Sequence, residues 1–383
     1  MSCVFLSLQG CQLENSTGFI TIQASFSTCL KNLDLRFVHG DASKIFSRAL
    51  PRMRQLEALG LDNIPSCCSA MFHFLCNLKV FYCQNCASIT DEDLEGLGIN
   101  CHELESLSLS GCAYITGKFL PGLVRGCRKL KTLLLSCTRI RNQYIRETNW
   151  TDAMVTELDI SYCYGITEEG LLVLLPSLTQ LKYLQISFCG WGRALSDNVI
   201  AAMASHIGQS LETLDIHSSF NLSGHALCSL LDKCPSMTTL CVGSAINSDV
   251  ELECSLQCLP KLKNFFITKQ SIIKTETVFN LISKYCKDIE VLALYNFYAI
   301  NRPKVEESLV NLVRTCTSLK TLCVRGTNVP LRTELAALAA MAKVVSGRRD
   351  INICRTPHML LSGPMNSLDN VIRAEFKITS NVS

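Results

Sequence analysis

An apolar-x-x-apolar-x-apolar motif recurs along most of the chain, with first anchors at Leu30, Leu56, Leu78, Leu104, Leu130, Val155, Leu181, Leu211, Met237, Leu262, Ile289 and Leu319. Successive anchors are 22 to 30 residues apart, most of them 25 to 27. A unit of that length cannot close a core of its own, so it is stable only when its neighbours stack against it and bury a shared apolar side. The repeat therefore overrides the usual expectation of two or three separate globules for 383 residues. A partial copy precedes the series (Leu6, Leu8, Cys11) and a worn one follows it (Ile351, Ile353), which predicts about fourteen strands.

The copy from Cys101 to Cys127 shows how one unit should fold. Leu104, Leu107 and Leu109 alternate as the inward side of a short strand, Cys112 closes a turn, and Ile115 enters the core. Thr116 is placed to cap a following helix, in which Phe119, Leu120, Leu123 and Val124 recur at spacings of three and four. Equivalent caps are expected at Thr90-Asp91, Thr167-Glu168, Ser196-Asp197, Ser223 and Thr275. The period is that of leucine-rich repeats. The predicted fold is an α/β leucine-rich repeat solenoid, a horseshoe with a parallel concave sheet and convex helices. One continuous array covers residues 1–355, with a C-terminal cap and tail over 356–383.

Composition narrows the function. A chain that is 48% hydrophobic and 18% charged can bury a core. Its 36 basic against 33 acidic residues, with no basic run longer than two, lack the footprint of a nucleic-acid binder. No uninterrupted apolar stretch of about 18 residues is present and the N-terminal apolar run is too short for a signal peptide, so the expected location is cytoplasmic or nuclear, with no membrane partner. The 23 cysteines are placed by the repeat. Cys101, Cys127, Cys234, Cys286 and Cys316 stand three residues before an anchor, and Cys11, Cys86, Cys112, Cys163 and Cys189 three residues after a motif's last apolar residue. That placement predicts reduced, buried thiols rather than disulfides. The single CxxC, Cys83 to Cys86, has no second pair to complete a zinc site, and no cofactor is expected.

The pattern CxxLxxLxLxxCxxIT from Cys101 to Thr116 is repeated less completely at Val155–Thr167 and Leu78–Thr90. It resembles the cysteine-containing leucine-rich repeats of F-box/LRR proteins, the substrate receptors of SCF cullin-RING ubiquitin ligases, over roughly residues 3 to 355. The resemblance implies a trough that holds a protein substrate. It also implies an F-box, a helical module with a Leu-Pro motif, that would grip a cullin adaptor ahead of the repeats. No such module is visible here: VFLSL begins within five residues of Met1, and Leu50-Pro51 lies between repeats, where it reads as a helix end. An apolar N-terminal strand without a polar cap favours a lost upstream segment, so a cullin adaptor is expected only if that segment exists.

No GxSxG, HExxH, GxGxxG or GxxxxGK[ST] motif occurs, which argues against an enzyme. Binding should fall to strand residues that alternate outward into the trough: Glu157, Asp159, Tyr183, Gln185, Asp215 and His217 as an acidic, hydrogen-bonding middle, and Phe266, Tyr295 and Arg325 as an aromatic and basic anchor. These residues would receive a protein with some basic character. Asp215→Ala is accordingly expected to leave folding almost untouched. Trp191, in the long CGWGRALSD insertion, is a further candidate for exposure, and a ligase-independent interaction scaffold is the alternative to a substrate receptor. The register itself can be tested: Leu107→Asp should place an unpaired charge in the core and cost several kcal/mol. An unchanged melting midpoint would show that Leu107 does not face inward.

Overall fold

The structure is a computed structural model that describes residues 5–12, 29–39, 49–62, 69–268, 273–297, 302–324 and 352–354. The chain divides into two compact units. One runs to Leu181 and includes Cys189–Trp191; the other comprises Lys182–Phe188 and the described residues from Gly192 onward. The expected division at 355/356 falls among residues outside the described set.

The first unit holds strands β1 (Phe5–Ser7), β2 (Asn32–Asp34), β3 (Ala58–Leu61), β4 (Val80–Cys83), β5 (Ser106–Ser108), β6 (Thr132–Leu134) and β7 (Glu157–Asp159). Each pairs in parallel with the next in chain order. The second anchors of successive motifs, Leu33, Leu59, Phe81, Leu107, Leu133 and Leu158, are direct register partners and are all buried. The second unit repeats this arrangement with β8 (Tyr183–Gln185), β9 (Thr213–Asp215), β10 (Thr239–Val242), β11 (Asn264–Thr268), β12 (Val291–Tyr295), β13 (Thr321–Cys323) and β14 (Asn352–Cys354). Its inner row is Leu184, Leu214, Leu240, Phe265, Leu292 and Leu322. A side chain of this kind contributes about 1.5–3 kcal/mol when fully buried, so each row sets register as well as stability. The result is the leucine-rich repeat α/β fold.

Helices α1 (Asp91–Asn100), α2 (Leu120–Gly126), α3 (Asn142–Glu147) and α4 (Glu168–Ser177) belong to the first unit. The second unit has α5 (Asp197–His206), α6 (Gly224–Leu231), α7 (Asp249–Gln257), α8 (Thr275–Tyr285) and α9 (Arg302–Thr315). None is long and apolar enough to cross a membrane. In the shortest repeat, between Leu56 and Leu78, the described residues after the strand form a 3-10 turn, Ser69–His73, where an α-helix is expected. Leu50-Pro51 opens another 3-10 turn, Leu50–Arg52, directly after Ala49, which has helical backbone angles, and proline's missing N–H costs nothing at that start.

The helix starts depart from the sequence reading in an instructive way. Ser196 and Ser223 do accept a backbone N–H from their own helices, from Val199 and Ala226. Thr116 does not: its hydroxyl and its N–H both donate to Asp91 Oδ2, at 2.8 and 2.9 Å, while Gly117 N–H donates to Oδ1. Ser223 meets Asp197 in the same manner, with hydroxyl and N–H donated to the two carboxylate oxygens. The acidic residue of one helix's first turn thus ties down the loop of the next repeat. Thr90 does cap its own helix, in a capping box in which Asp93 accepts its N–H at 3.0 Å, whereas Thr167 pairs with the Asn142 amide and Thr275 lies inside α8 after Lys274 at the cap position.

Adjacent helices meet closely where the sequence supplies glycine. A Cβ on Gly98 would lie 2.3 Å from the Gly122 carbonyl oxygen, and one on Gly126 only 1.7 Å from that of Gly98. No larger residue fits between α1 and α2 without moving backbone.

The cysteines form two columns that satisfy backbone carbonyls of the preceding repeat. In one, Cys101 Sγ donates to Leu75 O (3.4 Å), Cys127 to Cys101 O (3.2 Å), Cys286 to Leu259 O (3.7 Å) and Cys316 to Cys286 O (3.8 Å). In the other, Cys112 donates to Cys83 O, Cys163 to Leu135 O and Cys189 to Cys163 O. The described cysteines are free, and most are buried; Cys11, expected in the second column, is exposed, as are Cys76 and Cys137. Cys11 lies just beyond the first strand, where no earlier described repeat supplies a carbonyl to cover. Burial pushes the thiols of Cys101, Cys127, Cys163 and Cys286 up to about 12. Because only the thiolate attacks, alkylation of the native chain at mildly alkaline pH should reach Cys11 and Cys76 first. The four high-pKa thiols should react only after denaturation, as peptide mapping would show; early labelling of Cys127 or Cys163 would contradict the column.

Candidate functional site

Two surfaces have the chemistry to recognise something: the helix-free face of the sheet and the turns that follow the strands. Both are products of the repeat. Residues four and six positions after an anchor project from the helix-free face, and the chain then turns through a residue of positive φ seven positions after it. Phe37, Asn85, Gly111, Cys137, Tyr162, Phe188, Ser218 and Asn296 all occupy that place, with φ between 52° and 78°. A non-glycine residue there costs on the order of 1–2 kcal/mol. The cost is offset by bonding to the next repeat, since Asn85, Gly111 and Cys137 donate their N–H groups to Ser110, Ser136 and Ser161 carbonyls at 2.8–2.9 Å. At Gly111 a Cβ would sit 2.1 Å from Asn85 Oδ1, so a larger residue there would displace the Asn85 side chain.

Beyond these turns the first unit exposes aromatics from three of its repeats. Tyr114 is 55% exposed, Tyr164 43% and Trp191 61%. Tyr164 and Trp191 stack face to face, with centroids 4.2 Å apart and planes 17° apart, and the Arg139 guanidinium lies 5.7 Å from the Tyr114 ring. The second unit has an exposed Phe220 set edge-on to Phe188 at 6.1 Å. The sequence singled out Trp191 but missed Tyr114, Tyr164 and Phe220. The signal was available: each lies nine or ten residues after its anchor, on a part of the repeat with no core role.

On the helix-free face, the predicted residues separate into several environments. In the first unit, Glu157 is partly buried and accepts the Thr132 hydroxyl at 3.1 Å; burial raises its pKa against that hydrogen bond. Asp159 is buried and accepts the Ser161 N–H at 2.9 Å. In the second unit, Tyr183 donates its hydroxyl to Glu212 at 3.3 Å, and Gln185 is the register partner of Asp215. Phe266 and Tyr295, expected as exposed anchors, are 3% and 7% exposed. They pack with Cys241, Ala293 and Cys323 in an apolar cluster. Strands about 4.8 Å apart leave a large side chain wedged between the neighbours on either side. Arg325 lies outside the described residues.

The densest polar group is in the second unit. Ser187 Oγ donates to Asp215 Oδ1 at 2.5 Å and lies 2.7 Å from His217 Nδ1, which is itself 2.7 Å from Asp215 Oδ1. The His217 N–H donates to the same oxygen at 3.1 Å, and Cys241 Sγ is 3.9 Å from the imidazole nitrogen. Burial alone would lower the His217 pKa, but the hydrogen bond and charge of Asp215 outweigh it and leave it raised. Burial would raise Asp215, yet His217 and Ser187 hold it below its ordinary value. Serine, histidine and aspartate here are not a nucleophilic relay. A relay uses both imidazole nitrogens, one toward each partner, whereas both oxygens meet Nδ1. Cys241 was not grouped with this pair in the sequence because it lies 26 residues from Asp215; the register Asp215↔Cys241 brings it alongside.

Fold and surfaces together define a leucine-rich repeat protein of the α/β type. No protein-family model matches the chain, and no curated protein matches it. Among solved structures it is similar to a yeast complex of Rad7 and Elc1 (14% identity, TM-score 0.46, 83% of this chain and 89% of that one). It is also similar to internalin InlF from Listeria monocytogenes (16%, 0.47, 92% and 87%) and to a TLR13–ssRNA13 complex (16%, 0.46, 79% and 43%).

The burial of Asp215 reverses the expectation that its loss is harmless. Asp215→Ala strands the Ser187 hydroxyl and the His217 ring, and should cost about 1–3 kcal/mol. Chemical denaturation is the check, and a midpoint equal to wild type would mean that the network contributes nothing to folding.

Proposed function

We propose that the chain is a noncatalytic protein-recognition array, and more narrowly the substrate-binding part of an SCF-type cullin-RING ubiquitin ligase receptor acting in the cytoplasm or nucleus. The observation that carries recognition is the exposed Tyr164–Trp191 stack, together with the exposed Tyr114 and its Arg139 neighbour on the same unit. Tyrosine, tryptophan and arginine are the side chains that dominate protein interfaces, and a pre-stacked pair has little conformational entropy left to lose on binding. On the same unit, the partly buried Glu157 supplies an acceptor for a partner with basic side chains. The ligase reading is supported by the cysteine-containing repeat pattern from Cys101 to Thr116.

The mechanism is positioning. A receptor that holds a substrate lysine beside a ubiquitin-charged enzyme raises its effective concentration, and the chemistry belongs to partner subunits. Co-immunoprecipitation of the chain, expressed with whatever coding sequence lies upstream of Met1, should recover a cullin and its adaptor. Failure to recover them moves the function to a ligase-independent scaffold. The doubly substituted Tyr164→Ala, Trp191→Ala chain should stay folded and lose no more than about 1.5 kcal/mol of stability, the worth of an aromatic pair at the surface. Its capture of the bound protein should fall by tenfold or more, as hot-spot losses of about 2 kcal/mol imply. Undiminished capture would place recognition away from the ridge.

A further inference from the structure

Among the described residues, Asp215, His217 and Cys241 are the one grouping of three or more His, Cys, Asp or Glu side chains whose donor atoms all lie within 4.8 Å of one another. The sheet puts them there. Asp215 and Cys241 are direct partners across the β9–β10 ladder, and His217 follows Asp215 by two residues on the same face. We propose that Asp215, His217 Nδ1 and Cys241 Sγ form a binding site for a divalent transition-metal ion of the zinc class.

Three features carry the assignment. The first is distance. A tetrahedral ion held at roughly 2.0–2.3 Å from nitrogen, oxygen and sulfur donors sets those donors about 3.5 Å apart. His217 Nδ1 and Cys241 Sγ stand at 3.9 Å, Asp215 Oδ1 and His217 Nδ1 at 2.7 Å, and all three donors lie within 4.8 Å of one another, so side-chain shifts on the order of an ångström suffice. The second is the crowding of electron-rich atoms. Ser187 Oγ, Asp215 Oδ1 and His217 Nδ1 make a triangle with sides of 2.5, 2.7 and 2.7 Å. The serine hydroxyl supplies one hydrogen and Nδ1 at most one, so three short edges share two protons. An ion about 2 Å from Asp215 Oδ1 and His217 Nδ1 would sit outside this triangle, toward Cys241, and take a lone pair from each. The third is donor type. An imidazole, a thiolate and a carboxylate suit zinc or copper and do not suit magnesium or calcium, which take oxygen ligands.

On binding, the Cys241 thiol releases its proton to solvent and His217 takes the tautomer with hydrogen on Nε2. One thiolate and one carboxylate then balance the two positive charges of the ion. Three protein ligands leave a fourth position for water, the arrangement of an open rather than a closed structural site.

The test is titration of the purified full chain with Co2+ under reducing conditions, followed by competition with Zn2+. Wild type should bind one equivalent with a tetrahedral visible spectrum and a thiolate-to-cobalt charge-transfer band, both abolished by zinc and unaffected by Mg2+. Cys241→Ser should lose the charge-transfer band, and His217→Gln should weaken zinc binding by about tenfold or more, with circular dichroism unchanged. The chain has other thiols, so an identical cobalt spectrum in Cys241→Ser would place the signal elsewhere and overturn the site, as would the absence of any band in wild type. Should either variant unfold, X-ray absorption of the zinc-loaded wild type decides. One sulfur with nitrogen or oxygen neighbours supports the site; an all-sulfur or sulfur-free shell overturns it.

Discussion

Within each unit the described strands obtain their backbone partners and core contacts from neighbouring repeats, and this in-register parallel pairing is the constraint on which the rest depends. A three-residue strand such as Ser106–Ser108 has no stability by itself. It becomes stable because Leu107 lies between Phe81 and Leu133 in an apolar row while the ladder satisfies its N–H and C=O groups. The cysteine columns extend the same logic to carbonyls that the ladder leaves over. A thiol is small enough to fill the tight turn and is still a weak donor, so Cys127 covers the Cys101 carbonyl and Cys316 that of Cys286. Their high pKa values follow from the burial that makes them useful.

Tight pairing has costs, and the molecule places them at recurring positions. Positive-φ residues after the strands and glycines between α1 and α2 are two answers to one demand, that adjacent repeats approach closely. Where backbone meets backbone, as at Gly98 and Gly126, only glycine fits. Where the turn projects outward, a larger residue is tolerated, because hydrogen bonds to the next repeat offset the strain. The residues just beyond those turns have no packing duty, and here Tyr114, Tyr164 and Trp191 emerge as a ridge. An exposed stack of this kind is energetically unrewarded in the isolated chain, which makes it the surface best suited to a partner.

The helix-free face contributes differently. Its apolar members, Phe266, Tyr295, Ala293 and Cys323, pack against each other and are largely withdrawn from solvent. Its polar members are drawn into local networks, of which Ser187, Asp215, His217 and Cys241 form the densest. Residues that alternate onto one face of a sheet are thus not equally available. A side chain between two occupied neighbouring strands is half enclosed before any ligand arrives, and polar groups in that position find each other.

The sequence by itself determined the repeat, the inward anchors, the approximate number of strands and the structural role of most cysteines. All of these follow from a short apolar spacing copied many times, and periodicity is a local property. It also marked Trp191, whose two glycine neighbours place it in an insertion without a core role. Only the tertiary structure decided that Thr116 donates to Asp91 rather than capping its own helix, that Phe266 and Tyr295 are enclosed, and that Cys241 stands beside Asp215 and His217. Each of those outcomes depends on which residues of different repeats lie side by side. That is fixed by ladder register and by side-chain size across strands, quantities that no single repeat contains.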